Sequence, residues 1–158
     1  MLADEIEFEE DSNIEMEGRL EAVSGSGAEG TVTVFGQTIT VTTDTIMIDE
    51  SDDAPEHFFS LDDLVAGVDN LEIDMHRDPD SDSLIAYKLE RAEGEDAAEL
   101  EGPVESIPDA DHIVIAGVTV DVSGVSLPDF VIGTVLEMEG SYDQGTGIFT
   151  ATGVEIDD

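Results

Sequence analysis

The chain repeats itself, and that constrains its fold more than any other feature. Ser60-Leu61-Asp62-Asp63-Leu64-Val65-Ala66-Gly67 returns as Ser126-Leu127-Pro128-Asp129-Phe130-Val131-Ile132-Gly133. Glu17-Gly18-Arg19-Leu20-Glu21 resembles Glu101-Gly102-Pro103-Val104-Glu105. Val34-Phe35-Gly36 with Thr38 to Val41 resembles Ile115-Ala116-Gly117 with Thr119 to Val122. Ala86-Tyr87-Lys88-Leu89-Glu90 matches Ala151-Thr152-Gly153-Val154-Glu155. The blocks keep one order in both copies, so the chain is two copies of one unit. A third echo of the last block, Ala3-Asp4-Glu5-Ile6-Glu7, opens the chain. Residues 1–13 therefore read as the closing strand of a preceding repeat, followed by repeat 1 (14–93), a linker (94–97) and repeat 2 (98–158). A plain N-terminal strand is the alternative.

Within each copy the apolar residues recur every second position, the mark of half-buried strands. Met16, Gly18, Leu20 and Ala22 share one face, and Leu71, Ile73 and Met75 alternate with Glu72 and Asp74. Gly36-Gln37 reads as a tight turn or bulge. The Ser-Leu-x-Asp block carries a Ser cap, an Asp three residues on and a closing Gly, which predicts one short helix. Three strands, a helix and two strands give the order of an OB-fold. The expected fold class is all-β: two tandem small OB-like five-stranded barrels, each with one short helix between strands 3 and 4.

The repeated elements are a strand ending Glu-Gly, a Val-x-Gly-x-x-Thr-Val hairpin, an acidic-hydrophobic turn ending in Gly, and a final Ala-x-x-Val-Glu. Together they resemble the tandem OB-like repeats of a bacterial domain family of unknown function, common in secreted and cell-envelope proteins. The resemblance implies an extracellular or periplasmic location. It carries no catalytic residues, because its motifs are structural glycines and core positions.

Charge narrows the function classes. Four Lys+Arg against 41 Asp+Glu leave a net charge of −37. A nucleic-acid binder needs a basic face to release counterions, so the usual OB partner is excluded. No apolar run approaches the roughly 20 residues of a membrane-spanning helix, which argues against membrane insertion. With no cysteine, disulfides and thiolate metal sites are excluded. No nucleophile elbow, phosphate loop or dinucleotide fingerprint is present, so the chain reads as non-catalytic. A hydrolase would need two buried carboxylates with separated pKa values in a cleft.

Two acidic runs are candidate Ca²⁺ sites, because carboxylates on a tight turn can converge on a hard cation. One is Asp78, Asp80 and Asp82 in Asp78-Pro79-Asp80-Ser81-Asp82-Ser83; the other is Asp49, Asp52 and Asp53 in an insertion carried by the first copy alone. The EF-hand spacing fails at Ser83 and Leu89, and solvated turns like the same residues. His57, His76 and His112 lack metal-site spacing. Phe58-Phe59 reads as a barrel plug or an exposed anchor. The acidic coat suits either Ca²⁺ binding in an extracellular array or adaptation to high salt.

These features lead to a structural or adhesive module of a secreted or envelope protein. The alternative is a module gripping a cationic protein or a carbohydrate through its barrel loops. The opening strand, Ile6 to Glu10, is a candidate for self-association by pairing with an exposed edge.

Overall fold

The computed structural model describes residues 14–49, 60–67, 69–78, 80–81, 83–92, 98–127 and 129–156. The proposed strand of a preceding repeat, the linker 94–97 and Phe58-Phe59 lie outside them. The strands of the first copy are β1 (Ile14–Arg19), β2 (Ala22–Ser26), β3 (Glu29–Val34), β4 (Gln37–Val41), β5 (Ile46–Asp49), β6 (Asn70–Arg77) and β7 (Leu84–Ala92). Those of the second are β8 (Ala98–Asp109), β9 (His112–Ile115), β10 (Val118–Asp121), β11 (Val135–Asp143) and β12 (Ile148–Ile156).

Alternation decides which side chains go inside. Ile14 and Met16 of β1 are buried, as are Leu71, Ile73 and Met75 of β6, while the acids between them face outward. The two hairpins turn on Phe35-Gly36 (φ 55 and 73) and Ala116-Gly117 (φ 53 and 82). Two consecutive left-handed residues twist a two-residue loop to match its strands, and Gly meets that demand at the second position without a Cβ clash. The turn thus falls one residue before the expected Gly36-Gln37; Gln37 already pairs with Val34.

In the second copy the sheet runs β8-β9-β10-β12-β11 and closes on itself through β11–β8. Only β10–β12 is parallel. This is the strand order 1-2-3-5-4-1 of an OB-like barrel. The first copy follows the same order, with its first strand interrupted between β1 and β2; Glu21 N–H donates to Thr33 O at the break (2.8 Å). Its third strand is divided as well, because β4 and β5 both run parallel to β7, at Leu84-Ile85 and at Lys88–Arg91. The bend between them is held by buried Thr45, whose hydroxyl donates to Ala86 O (2.7 Å) and accepts from Thr42 N–H (3.0 Å). Sequence reading placed no strand at β5.

The all-β class holds, but the predicted helices do not form. The first copy has a three-residue 3-10 turn, Leu61–Asp63, and the described residues of the second copy's block contain no helix. The cap itself is real: Ser60 Oγ accepts from Asp62 N–H (3.3 Å), and Asp63 Oδ2 accepts from Ser60 N–H (3.3 Å). One turn suffices because it buries Leu61 and Leu64, three residues apart. Leu61 N–H is already committed to Gly27 O (2.8 Å), and Gly67 N–H to Leu20 O (2.8 Å). The ends of the segment are therefore tied to the barrel before a second turn could wind.

The barrels are joined through their first strands. β1 pairs antiparallel with β8, matching Glu15 to Glu101, Met16 to Leu100 and Glu17 to Glu99. Since Glu17-Gly18 and Glu101-Gly102 are equivalent repeat positions, Met16 and Leu100 are equivalent too, and a pseudo-twofold axis passes between them. Both are fully buried, and one hydrophobic cluster runs through the two barrels. Gly18 and Gly102 are bare for a reason. A Cβ on Gly18 would lie 2.6 Å from Phe35 Cε1, and one on Gly102 would lie 2.8 Å from Ile115 Cγ2.

Candidate functional site

Chemistry concentrates at this junction. β6, β1, β8 and β11 lie side by side, and their outward positions are Glu72 and Asp74, Glu15 and Glu17, Glu99 and Glu101, Glu137 and Glu139. The register sets like charges opposite one another at every step. Glu15 faces Asp74 on one side and Glu101 on the other; Glu17 faces Glu72 and Glu99; Glu101 faces Glu137; Glu99 faces Glu139. Directly opposed like charges are destabilising, and partial burial raises the cost of ionisation. The Glu15 carboxyl is accordingly pushed up to about 8, first by burial, then by a hydrogen bond with Glu72 and the charges of Asp74, Glu72 and Glu99. Burial also raises Asp74, against the opposing pull of Lys88. Glu99 is raised by burial and by Glu139, Glu137 and Glu72. Glu15 therefore holds a proton at neutral pH. The carboxylates of the face are spread along the strands, and among the described residues no three His, Asp or Glu side chains are grouped to hold a metal.

Where β1 leaves the seam, a cleft of about 280 Å³ opens between the barrels. Arg19, Glu21, Phe35 and Asn70 line it from the first barrel, and Ala98 and Tyr142 from the second. Phe35 packs its ring against Tyr142 and Phe149, both with centroids 5.2 Å away. Arg19 donates to Asn70 Oδ1 (3.4 Å) and to Gly67 O (3.3 Å). Glu21 accepts from Gly36 N–H (3.2 Å), and burial still raises its carboxyl above the ordinary range. Tyr142 is raised by burial and by the charges of Glu21 and Asp143. The cleft thus combines aromatic rings with one guanidinium, one carboxyl and an amide.

Glu21 and Glu105 share a role that sequence reading missed. Glu105 Oε1 accepts from Gly117 N–H (3.2 Å), repeating the Glu21–Gly36 bond in the second barrel. Each repeat thus clasps its own hairpin with the last Glu of the Glu-Gly-x-x-Glu block. The recurrence of that Glu was the available signal. Two further bonds cross between barrels: Arg77 to Glu105 (2.9 Å) and Gln37 Nε2 to Gly117 O (3.1 Å).

Of the two candidate Ca²⁺ runs, the described residues include Asp78 and Asp80 of the first and Asp49 of the second. Asp78 and Asp80 sit in the turn between β6 and β7, whereas Asp49 ends β5 opposite Arg91, near the far end of β7. Seven residues of strand separate those ends by roughly 20 Å. Asp78 spends its oxygens inside its own turn, accepting from Ser81 Oγ (2.8 Å) and Asp80 N–H (3.2 Å), and these bonds hold its carboxyl below the usual range. Asp52, Asp53 and Asp82 lie outside the described residues, as does His57. His76 is on β6. His112 pairs with Asp109 (2.9 Å), which raises the imidazole.

Fold and junction together define a tandem OB-like barrel protein with an acidic, proton-holding seam. The chain belongs to a family described only as a domain of unknown function (DUF5666), matched over residues 17–90 and again over 101–155. No curated protein and no solved structure matches it.

Proposed function

We propose that the chain is a non-catalytic structural or adhesive module of a secreted or cell-envelope protein, in which two barrels act as one stiff unit. The observation that carries this reading is what the recurring residues do. Gly18 and Gly102 admit the hairpins, Glu21 and Glu105 clasp them, and Met16 and Leu100 centre the seam. The repeated chemistry is thus consumed in building the fold and joining its copies. The family resemblance supports placement outside the cytoplasm, and the charge of −37 supports a surface that stays soluble in salt.

Stiffness and inertness are testable together. Dyes on the two barrels should report a single narrow distance distribution by single-molecule energy transfer. Glycoside, ester, peptide and phosphoester reporters should show no turnover. Turnover that disappears in Glu21→Gln would replace this reading with a hydrolase.

A second reading is favoured by the cleft: a module that grips a carbohydrate there, or a cationic protein on the carboxylate face. Calorimetric titration with oligosaccharides and basic proteins addresses it. Heat lost in Tyr142→Ala would support the cleft, and salt-sensitive heat would support the face.

A further inference from the structure

The seam has a geometry that a second chain could reproduce. Its strands meet at equivalent residues, so the edge that β1 offers to β8 is nearly the edge that β8 offers to β1. Among the described residues, contacts that cross the junction include the three-pair ladder, the Phe35 rings against Tyr142 and Phe149, Gln37 to Gly117, and Arg77 to Glu105. All of them join barrel 1 to barrel 2, and none depends on both barrels belonging to one chain. The ladder is three pairs long, and two of those pairs set glutamate against glutamate.

We propose that this seam is an exchangeable docking surface whose partner is a second copy of the chain, with β1 of one molecule paired to β8 of the other. The proposal rests on the adhesive reading above and names its partner. Swapped and closed forms contain the same contacts, so local concentration and the linker decide between them.

Side-chain size fixes which barrels pair. At equivalent positions barrel 1 carries Ile14 and Phe35, and barrel 2 carries Ala98 and Ala116. Phe35 and Ala98 line the cleft from opposite barrels, and Ile14 lies against Gly102 of the other barrel. Each side of the axis thus combines a large residue with a small one. A first-to-first pairing would oppose Phe35 to Ile14 twice and overpack. A second-to-second pairing would oppose two alanines and leave voids. Exchange therefore propagates as first-to-second contacts.

The chain lacks cysteine, so introduced thiols report cleanly. Full-length Glu15→Cys and Glu101→Cys chains are mixed at roughly millimolar protein, the range of the effective concentration set by a short linker, under mild oxidation. The expected product is a covalent dimer bonded 15 to 101, accumulating at least about tenfold faster than dimers from a Thr38→Cys and Thr152→Cys mixture; a tenfold rate ratio corresponds to about 1.4 kcal/mol. Equal rates, or a random set of 15–15, 15–101 and 101–101 bonds, would overturn the proposal. The double variant Glu15→Cys/Glu101→Cys at low concentration separates the two readings. Closure within one chain shows that the seam exists even where exchange fails, whereas no closure removes the seam and the stiff-module reading with it.

Discussion

Glu15 shows how one residue can set the pH response of a whole junction. A carboxyl raised to about 8 in the folded chain, against about 4.5 when unfolded, means the folded state holds the extra proton between those values. Its contribution to stability is therefore fully present below about 4.5 and is lost as pH rises through 8. Asp74 and Glu99 act in the same direction, as does His112, whose imidazole is raised by Asp109. Asp78, Asp109 and Asp121 act oppositely and lose their contribution as pH falls. The urea midpoint of the wild-type chain should drop between pH 5 and pH 8.5, and Glu15→Gln should flatten that drop; an equal drop in the variant would show that the proton resides elsewhere. At the same scale, Gly18→Ala places a methyl 2.6 Å from Phe35 Cε1. Displacing that ring should cost about 1–3 kcal/mol, read as a lower denaturation midpoint.

Among the elements, the divided third strand of the first barrel depends most on a single side chain. Thr45 Oγ both donates to Ala86 O and accepts from Thr42 N–H, which holds β5 in parallel register on β7. Thr45→Val keeps the shape but removes the partner of the buried Ala86 carbonyl and of the half-buried Thr42 N–H, so it should cost about 1–3 kcal/mol. Amide exchange should rise over Ile46–Asp49 before it rises over β6; uniform exchange would show that the bend is not a local latch. Strand positions were legible in the sequence because burial follows alternation, as at Leu71, Ile73 and Met75 of β6. The 3-10 turn was not. A cap signal reports the start of a turn, while the length of the helix is decided by where its ends are tied, here Gly27 and Leu20. The hairpin turn was misplaced by one residue because Phe35, a bulky side chain, adopts a positive φ that its type disfavours.

For the whole molecule, the charge of −37 dominates. Self-repulsion is unscreened at low ionic strength, so the melting temperature should rise with NaCl in the presence of chelator. Ca²⁺ added at fixed ionic strength distinguishes specific binding from screening. Asp78 already accepts from Ser81 Oγ and Asp80 N–H within its own turn, so the expected outcome is no further rise; a rise at micromolar to millimolar Ca²⁺ would place a site in the acidic runs.

The duplication, the all-β class and the OB-like order were all legible in the residues themselves. Period-two burial, turn glycines and net charge are local or additive properties, and a linear string records them directly. The seam, the cleft and the raised carboxyl of Glu15 were not legible. They arise from strands distant in sequence, Met16 against Leu100 and Glu15 against Asp74 and Glu101. An outward-facing glutamate looks the same in every strand until folding decides which other glutamates stand beside it.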